Sequence, residues 1–476
     1  MNPPFISNRN RRGKGREGTI NPLFAAFGIP PKDQLEMGKL LTKKYRGTCS
    51  DGKAGGASYF MAIADAKLKE DGRLGMIIPA SVGSGTSWKK VRHLISKKYK
   101  DVILVSIAAE DDEDRAFSAY TGMADVILVA TRSLDSNPAT RMRVVTLYHR
   151  PQSVLEGNET GYAISKIHEI NKLEDGPVGG TLIKLGDDSV GEILDCPLSG
   201  IWQTNIADFS IVQMAYSLTA GKFQTVDGPP CPVTMVTIGD LAEMSPDAQM
   251  LIGRRQKGPF TKHKIQKNKK PIYTALWSND SETQKSIIVE PDSMLSKKGD
   301  APMSKVRNLW SKASRVHVNS TARLTSQALV ALYTEKPVLG GRSHPGVCID
   351  QKYEKAISLW LNSTFGIVCF WLVGGRQQMG RIMMSRLAMK NIPIPDFRCM
   401  DDSDIKKLDA AFTRYSKRDL LPINQLDRDP VRIKIDEIIA NLFKLSGDLD
   451  DLRTRFCAEP HIRNEEKNIE ELDELD

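Results

Sequence analysis

The chain has 476 residues, 40% hydrophobic and 26% charged, a balance that suits folded globular protein and excludes disordered or collagen-like chains. Its 67 lysines and arginines against 58 acids leave a formal charge of +9, which suits a polyanionic partner such as nucleic acid, with a mildly basic protein lacking such a partner as the plainer alternative. Seven cysteines form no CxxC pair, which argues against a zinc module or disulfide framework and for a reducing cytoplasm, and the longest apolar run, 365–373, is too short to span a bilayer.

The sequence opens Met1-Asn2-Pro3-Pro4-Phe5. Two prolines fix φ and donate no N–H, so the run is stiff and its carbonyls are free to face a partner. Asn2 adds an amide oxygen as acceptor and Phe5 a flat ring; a polyproline-like turn would carry the same letters. Residues 6–33 read as a loop in which Arg9, Arg11, Arg12, Lys14 and Arg16 suit either a phosphate backbone or a solvated tail. Helices are expected at 33–45, 57–70 and 86–99, the last with Trp88, Val91, Leu94 and Ile95 inward. Short apolar runs at 73–79, 102–108 and 124–131 read as buried strands, so helix and strand alternate and an α/β sheet follows.

Residues 141–148 suggest one more strand. Beyond 151 the pattern turns irregular, punctuated by Gly176-Pro177, Gly228-Pro229-Pro230 and Gly258-Pro259. Short strands are expected at 271–277, 286–290 and 315–319. One long apolar helix is expected at 353–373, with Trp360, Leu361, Ile367 and Phe370 as its buried stripe, and later helices at 402–417 and 429–456. The last residues, 465–476, hold seven acids and one lysine and read as a frayed, solvated end. His93, His317 and His344 form no catalytic constellation. Pro395-Asp396 with Asp404-Ile405-Lys406 meets a nuclease signature in letters only, because the second group falls on an expected helix rather than a strand.

In order, these segments resemble the second half of an N6-adenine DNA methyltransferase of restriction–modification type. Asn2-Pro3-Pro4-Phe5 is similar to that family's catalytic tetrapeptide, and the Gly72–Ser81 run resembles its glycine, apolar strand, Ile-Pro-x-Ser segment. A helix and two strands follow, with Phe117 and Tyr120 in the intervening loop. A softer resemblance covers 315–396, where Leu361-Asn362-Ser363, then Gly380-Arg381, then Ile392-Pro393-Ile394-Pro395 look like a target-recognition region.

The resemblance implies an α/β fold: the C-terminal half of a Rossmann-like methyltransferase sheet at 1–135, a mixed α+β target-recognition domain at 136–398, and a helical C-terminal segment with an acidic tail at 399–476. It implies methyl transfer from S-adenosylmethionine to a flipped adenine in double-stranded DNA. Asn2 and Pro3 would accept the amino protons, Pro4 would stiffen the loop, and Phe5 would stack on the base. Phe117 (with Tyr120 as its rival) would close the other face, while Gln378 and Arg381 would face DNA. In that family the cofactor's glycine loop and acid lie before the Pro-Pro loop. The expectation is therefore that this chain lacks a complete cofactor pocket and works with a separate cofactor-binding half, or beside a nuclease subunit, in the cytoplasm and away from membranes. Gly52–Gly56 and Gly374-Gly375 are glycine-rich but follow no expected strand. Met1 would be the last residue of a catalytic-domain strand, in a truncated product, a mis-called start or one half of a split enzyme. A DNA-recognition module without catalysis is the alternative.

Overall fold

The computed structural model describes residues 1, 3, 31–109, 117, 124–133, 139–199, 202, 206–253, 258–265, 273–277, 281–376 and 381–462. The chain divides into two units, Met1–Phe209 with Gly375–Gln378, and Ser210–Gly374 with Met379–Asp476.

The first unit begins with helices α1 (Pro31–Lys44) and α2 (Gly56–Lys67), then strand β1 (Arg73–Pro79) and helix α3 (Lys89–Lys98). Strands β2 (Tyr99–Ile107), β3 (Asp125–Arg132) and β4 (Arg141–Leu147) follow, then helix α4 (Val154–Lys166) and strands β5 (Thr181–Leu185) and β6 (Asp188–Pro197). The six strands form one sheet in the order β1-β3-β2-β4-β6-β5. β3 runs antiparallel to both neighbours, while β2 and β4 are parallel, so β1, β2 and β4 point the same way. Alternation drives β1: Leu74, Met76 and Ile78 are buried, whereas Arg73 and Gly75 are exposed. α3 buries Val91 and Ile95 and is entered through a tight turn at Thr86–Trp88 that carries the buried Trp88. The helix expected from 86 thus starts as a 3₁₀ turn, and Tyr99 already belongs to β2.

This unit runs past the expected boundary at 135. β4 pairs with β2 from Ile103↔Arg143 to Ile107↔Leu147, and β6 then pairs with β4 along its whole length. Unbroken backbone pairing of this kind keeps one sheet in one unit. Val105, Val145, Leu147, Ile164, Ile183, Val190 and Ile193 make a shared core cluster. Sequence periodicity missed α4 for a physical reason. The helix exposes Val154, Leu155 and Tyr162 and buries only Thr160 and Ile164, so it carries no apolar stripe. Its start is nevertheless conventional, because the Ser153 hydroxyl accepts the Glu156 N–H.

The second unit centres on a seven-stranded mixed sheet. In chain order its strands are β7 (Glu243–Met244), β8 (Phe260–Lys264), β9 (Tyr273–Leu276), β10 (Ser293–Lys297) and β11 (Ser314–Val318). After the short outlying strand β12 (Thr321–Arg323) come β13 (Ala331–Gly340) and β14 (Gly346–Cys348). The spatial order is β7-β14-β11-β13-β9-β10-β8. Among the described strands of this sheet, β9 and β13 are the one parallel pair. Helix α5 (Met303–Trp310) covers a cluster of Leu251, Phe260, Ala275, Leu295, Val306, Leu309 and Leu339. Residues 286–290 do not form the expected strand: Ile288 makes a single bridge to Tyr333.

The expected long helix at 353–373 is two helices, α6 (Glu354–Asn362) and α7 (Thr364–Val373), bent by 79° at Ser363. Ser363 is extended, and its hydroxyl accepts the Gly366 N–H, capping α7. Gly366 is required there, since a Cβ would lie 1.9 Å from the Trp360 carbonyl oxygen. The expected apolar stripe holds: Trp360, Leu361, Ile367 and Phe370 are all buried. Among the described residues no single helix is long and apolar enough to cross a membrane. The region 399–476 is not a separate segment. Helices α8 (Asp402–Tyr415), α9 (Pro430–Phe443) and α10 (Leu449–Ala458) belong to the second unit. Asp436 of α9 ties them to α7 by accepting the Thr364 N–H at 2.9 Å and the Thr364 hydroxyl at 2.6 Å.

Candidate active site

β1 is the outermost strand of its sheet, paired with β3 on one side. Along its other edge lies Met1. The Met1 amino group donates to the Gly75 carbonyl at 2.7 Å, and the Met1 carbonyl accepts the Ile77 N–H at 3.0 Å. One residue bonded to both neighbours of Met76 is the parallel bridge pattern. The chain therefore leaves Met1 in the direction of β1, and Pro3 is buried. Asn2, Pro4 and Phe5 lie outside the described residues.

The floor at the carboxyl end of β1 is firmly built. Pro79 closes β1 without an N–H to extend the ladder. The Ala80 N–H crosses to Ala124 at 2.8 Å, and a tight turn at Ala80–Val82 follows. Arg92 of α3 donates to the carbonyls of Val82 at 2.7 Å and Gly85 at 3.1 Å. Burial lowers the pKa of this guanidinium. The Trp202 N–H donates to Gly83 at 3.1 Å. Gly85 allows the close return, because a Cβ there would sit 2.6 Å from the Ser81 carbonyl oxygen. Sequence reading missed Arg92 as a loop-holding residue; its only signal was a lone arginine between apolar helix positions.

Phe117 sits beside the start of β3, where its N–H donates to the buried Asp125 carboxylate at 2.9 Å. Its half-buried ring packs against the Val105, Val145 and Leu147 cluster. Tyr120 lies outside the described residues. Arg381 begins a short strand, β15 (Arg381–Met383), opposite Arg323 of β12, and is exposed. Gln378 lies outside the described residues. The structure thus sets Met1 beside Met76 in the middle of β1 and Phe117 on the same sheet, while Arg381 belongs to the other unit.

Neither glycine-rich segment fits a cofactor cradle. Gly52–Gly56 joins α1 to α2, helix to helix, and Gly374 caps the end of α7. A strand–loop–helix turn is what lets backbone N–H groups hold a dinucleotide-like ligand, and both segments lack the strand. The nuclease letters also come apart: Asp396 accepts from Arg398, and Asp404 lies on helix α8.

Solved structures resembling this chain include restriction–modification enzymes. The type IIL restriction-modification enzyme MmeI, in complex with DNA, matches at 9% identity and a TM-score of 0.39, over 88% of this chain and 54% of that one. The type IIG restriction endonuclease BpuSI matches at 12% identity and a TM-score of 0.32, over 85% and 48%. The HsdS subunit from Thermoanaerobacter tengcongensis matches at 10% identity and a TM-score of 0.24, over 52% and 50%. The chain spans about half the length of each of these. No family model matches it, and no curated protein does.

Proposed function

We propose that this chain carries the target-adenine-holding and DNA-recognition part of an adenine-N6 DNA methyltransferase of a restriction–modification system. One observation supports the reading: Met1, which precedes the Asn2-Pro3-Pro4-Phe5 run in sequence, is bonded in parallel alongside β1, so the chain leaves it heading toward the carboxyl end of that strand. In open α/β sheets that end is where ligands bind.

An exocyclic adenine amine is a poor nucleophile because its lone pair is delocalised into the ring. The Asn2 amide oxygen and the Pro3 carbonyl accept its two N–H groups, which draws the nitrogen toward a tetrahedral shape and frees the lone pair. Pro3 and Pro4 keep that acceptor pair rigid, and Phe5 stacks on the extruded base. Positioning and fixed dipoles suffice for such a step. S-adenosylmethionine, held by residues beyond those described, supplies an already activated methyl group. Double-stranded DNA is the partner, and the net charge of +9 has the matching sign.

The test is methyl incorporation from radiolabelled S-adenosylmethionine into duplex DNA, with and without an added cofactor-binding half. Incorporation at the adenine amine that Asn2→Ala abolishes supports the reading. Incorporation that survives Asn2→Ala removes it. Salt-sensitive DNA retention without methylation in either mixture leaves a recognition module without catalysis.

A further inference from the structure

Between Gly253 and Trp277 the sequence holds eight lysines and arginines, one histidine and no acid. The described part of this stretch is built around β8, which among the described residues is the outermost strand of the second unit's sheet and pairs only with β10. Lys262 stands opposite Leu295 and Lys264 opposite Ser293, so the two lysines share one face of the strand. Both are exposed, and neither makes an ion pair with a described residue. The Lys262 Nζ lies 5.6 Å over the Trp277 ring, which holds its stem along the face. On the opposite face His263 Nε2 meets the Ser296 hydroxyl at 2.7 Å. Lys297 and Lys298 stand at the end of β10 beside them. Asp292, whose carboxylate accepts the Trp277 N–H at 2.7 Å, and the exposed Asp300 flank β10 in sequence.

Charged residues on an edge strand also prevent edge-to-edge pairing. A carboxylate would guard the edge equally well, so guarding does not account for a stretch of one sign only. Ile265, just beyond the strand, is exposed as a single apolar side chain, whereas β8 itself exposes Lys262, His263 and Lys264 and a protein partner would need a cluster of apolar or aromatic anchors. We propose that the outer edge of β8 is a phosphate-backbone contact for double-stranded nucleic acid, with Lys262 and Lys264 each set against one phosphate. Two positions along a strand are about 6.8 Å apart, comparable with successive phosphates on one strand. Such contacts supply affinity and register, and no base recognition. The assignment rests on the DNA-binding reading given above and adds where the duplex lies on the second unit.

Fluorescence anisotropy of a labelled duplex with the full chain, from ~50 mM salt upward, tests it. The variants are Lys262→Gln with Lys264→Gln, and as a control Lys407→Gln with Lys434→Gln, whose lysines pair with Asp404 and Glu437. The first pair should bind roughly a hundredfold more weakly at ~50 mM salt, and its log–log salt slope should be shallower by about 2. The control pair should match the parent in both. Unchanged affinity and slope in Lys262→Gln/Lys264→Gln overturns the assignment. So does self-association of that variant with unchanged affinity, which would make the lysines edge guards. Retention of polyglutamate that duplex fails to displace overturns it in favour of an acidic protein. If the parent chain binds no duplex at any salt, the DNA-binding reading itself fails.

Discussion

Asn362 holds Ala331 by both of its main-chain groups: its amide oxygen accepts the Ala331 N–H at 3.1 Å, and its amide nitrogen donates to the Ala331 carbonyl at 2.8 Å. The same oxygen accepts the Val330 N–H at 3.0 Å, and the nitrogen donates to Ser358 at 2.9 Å. A fully buried carboxamide is thus satisfied four times, and it anchors α6 to β13. Asn362→Ala should cost about 3 kcal/mol or more by stranding buried backbone groups. Asn362→Asp should cost at least as much, because a carboxylate has no N–H for Ala331 or Ser358. Urea midpoints of the two variants check this; near-parental stability for either would refute it.

His317 sets a pH dependence. It is fully buried, and burial lowers its imidazole to about 4. Its two ring nitrogens lie 3.1 Å from the His344 carbonyl oxygen and 3.0 Å from that of Ser314, and these carbonyls oppose the shift without reversing it. A folded-state pKa below the ordinary value near 6.5 means that the unfolded chain takes up the proton first. The contribution is intact above pH ~6.5 and is lost as pH falls toward 4, by about 3 kcal/mol in all. His317→Gln should flatten the stability–pH curve between pH 6.5 and 4 relative to the parent. Parallel curves for parent and variant would show that His317 does not titrate there.

Asp436 joins three helices. It is fully buried, accepts twice from Thr364, and pairs with Arg453 at 3.0 Å. Burial pushes its carboxyl up, and Thr364 and Arg453 pull it back. Asp436→Ala should cost about 3–5 kcal/mol, because the buried Arg453 loses its buried partner and keeps only the exposed Asp450. Asp436→Asn should cost less, since it keeps one oxygen for Thr364. Thermal unfolding that ranks the two in the opposite order would contradict this.

Arg92 links stability to the proposed chemistry. Arg92→Ala frees the Val82 and Gly85 carbonyls and should cost about 1–3 kcal/mol. Amide exchange at Gly83 and Gly85 should quicken while the β1–β3 ladder stays protected. If the carboxyl end of β1 holds the target base, methyl transfer should fall further than DNA affinity does. Equal losses in both would place Arg92 in folding alone.

Strands of the first unit were legible because β1 to β4 are short apolar runs flanked by turn residues, and a buried strand needs little else. α4 and β5 were not, because Val154, Leu155, Tyr162 and Leu182 point outward and blur the period. The break at Ser363 showed in the sequence only as the short polar step Asn362-Ser363-Thr364 inside an apolar stretch, and because residues on both sides of the bend are buried, hydropathy gave it no direction. Sequence alone determined the net charge, the stiff acceptor run from Asn2 to Phe5, the acid-free stretch before Trp277, and the alternation that makes β1 a strand. Only tertiary structure decided that Met1 lies against β1, that Phe117 packs on a core cluster, and that Lys262 and Lys264 share one face of a strand that is outermost among the described residues. Composition and local period act over a few residues, whereas these depend on backbone pairing between segments far apart in the chain, which no local pattern encodes.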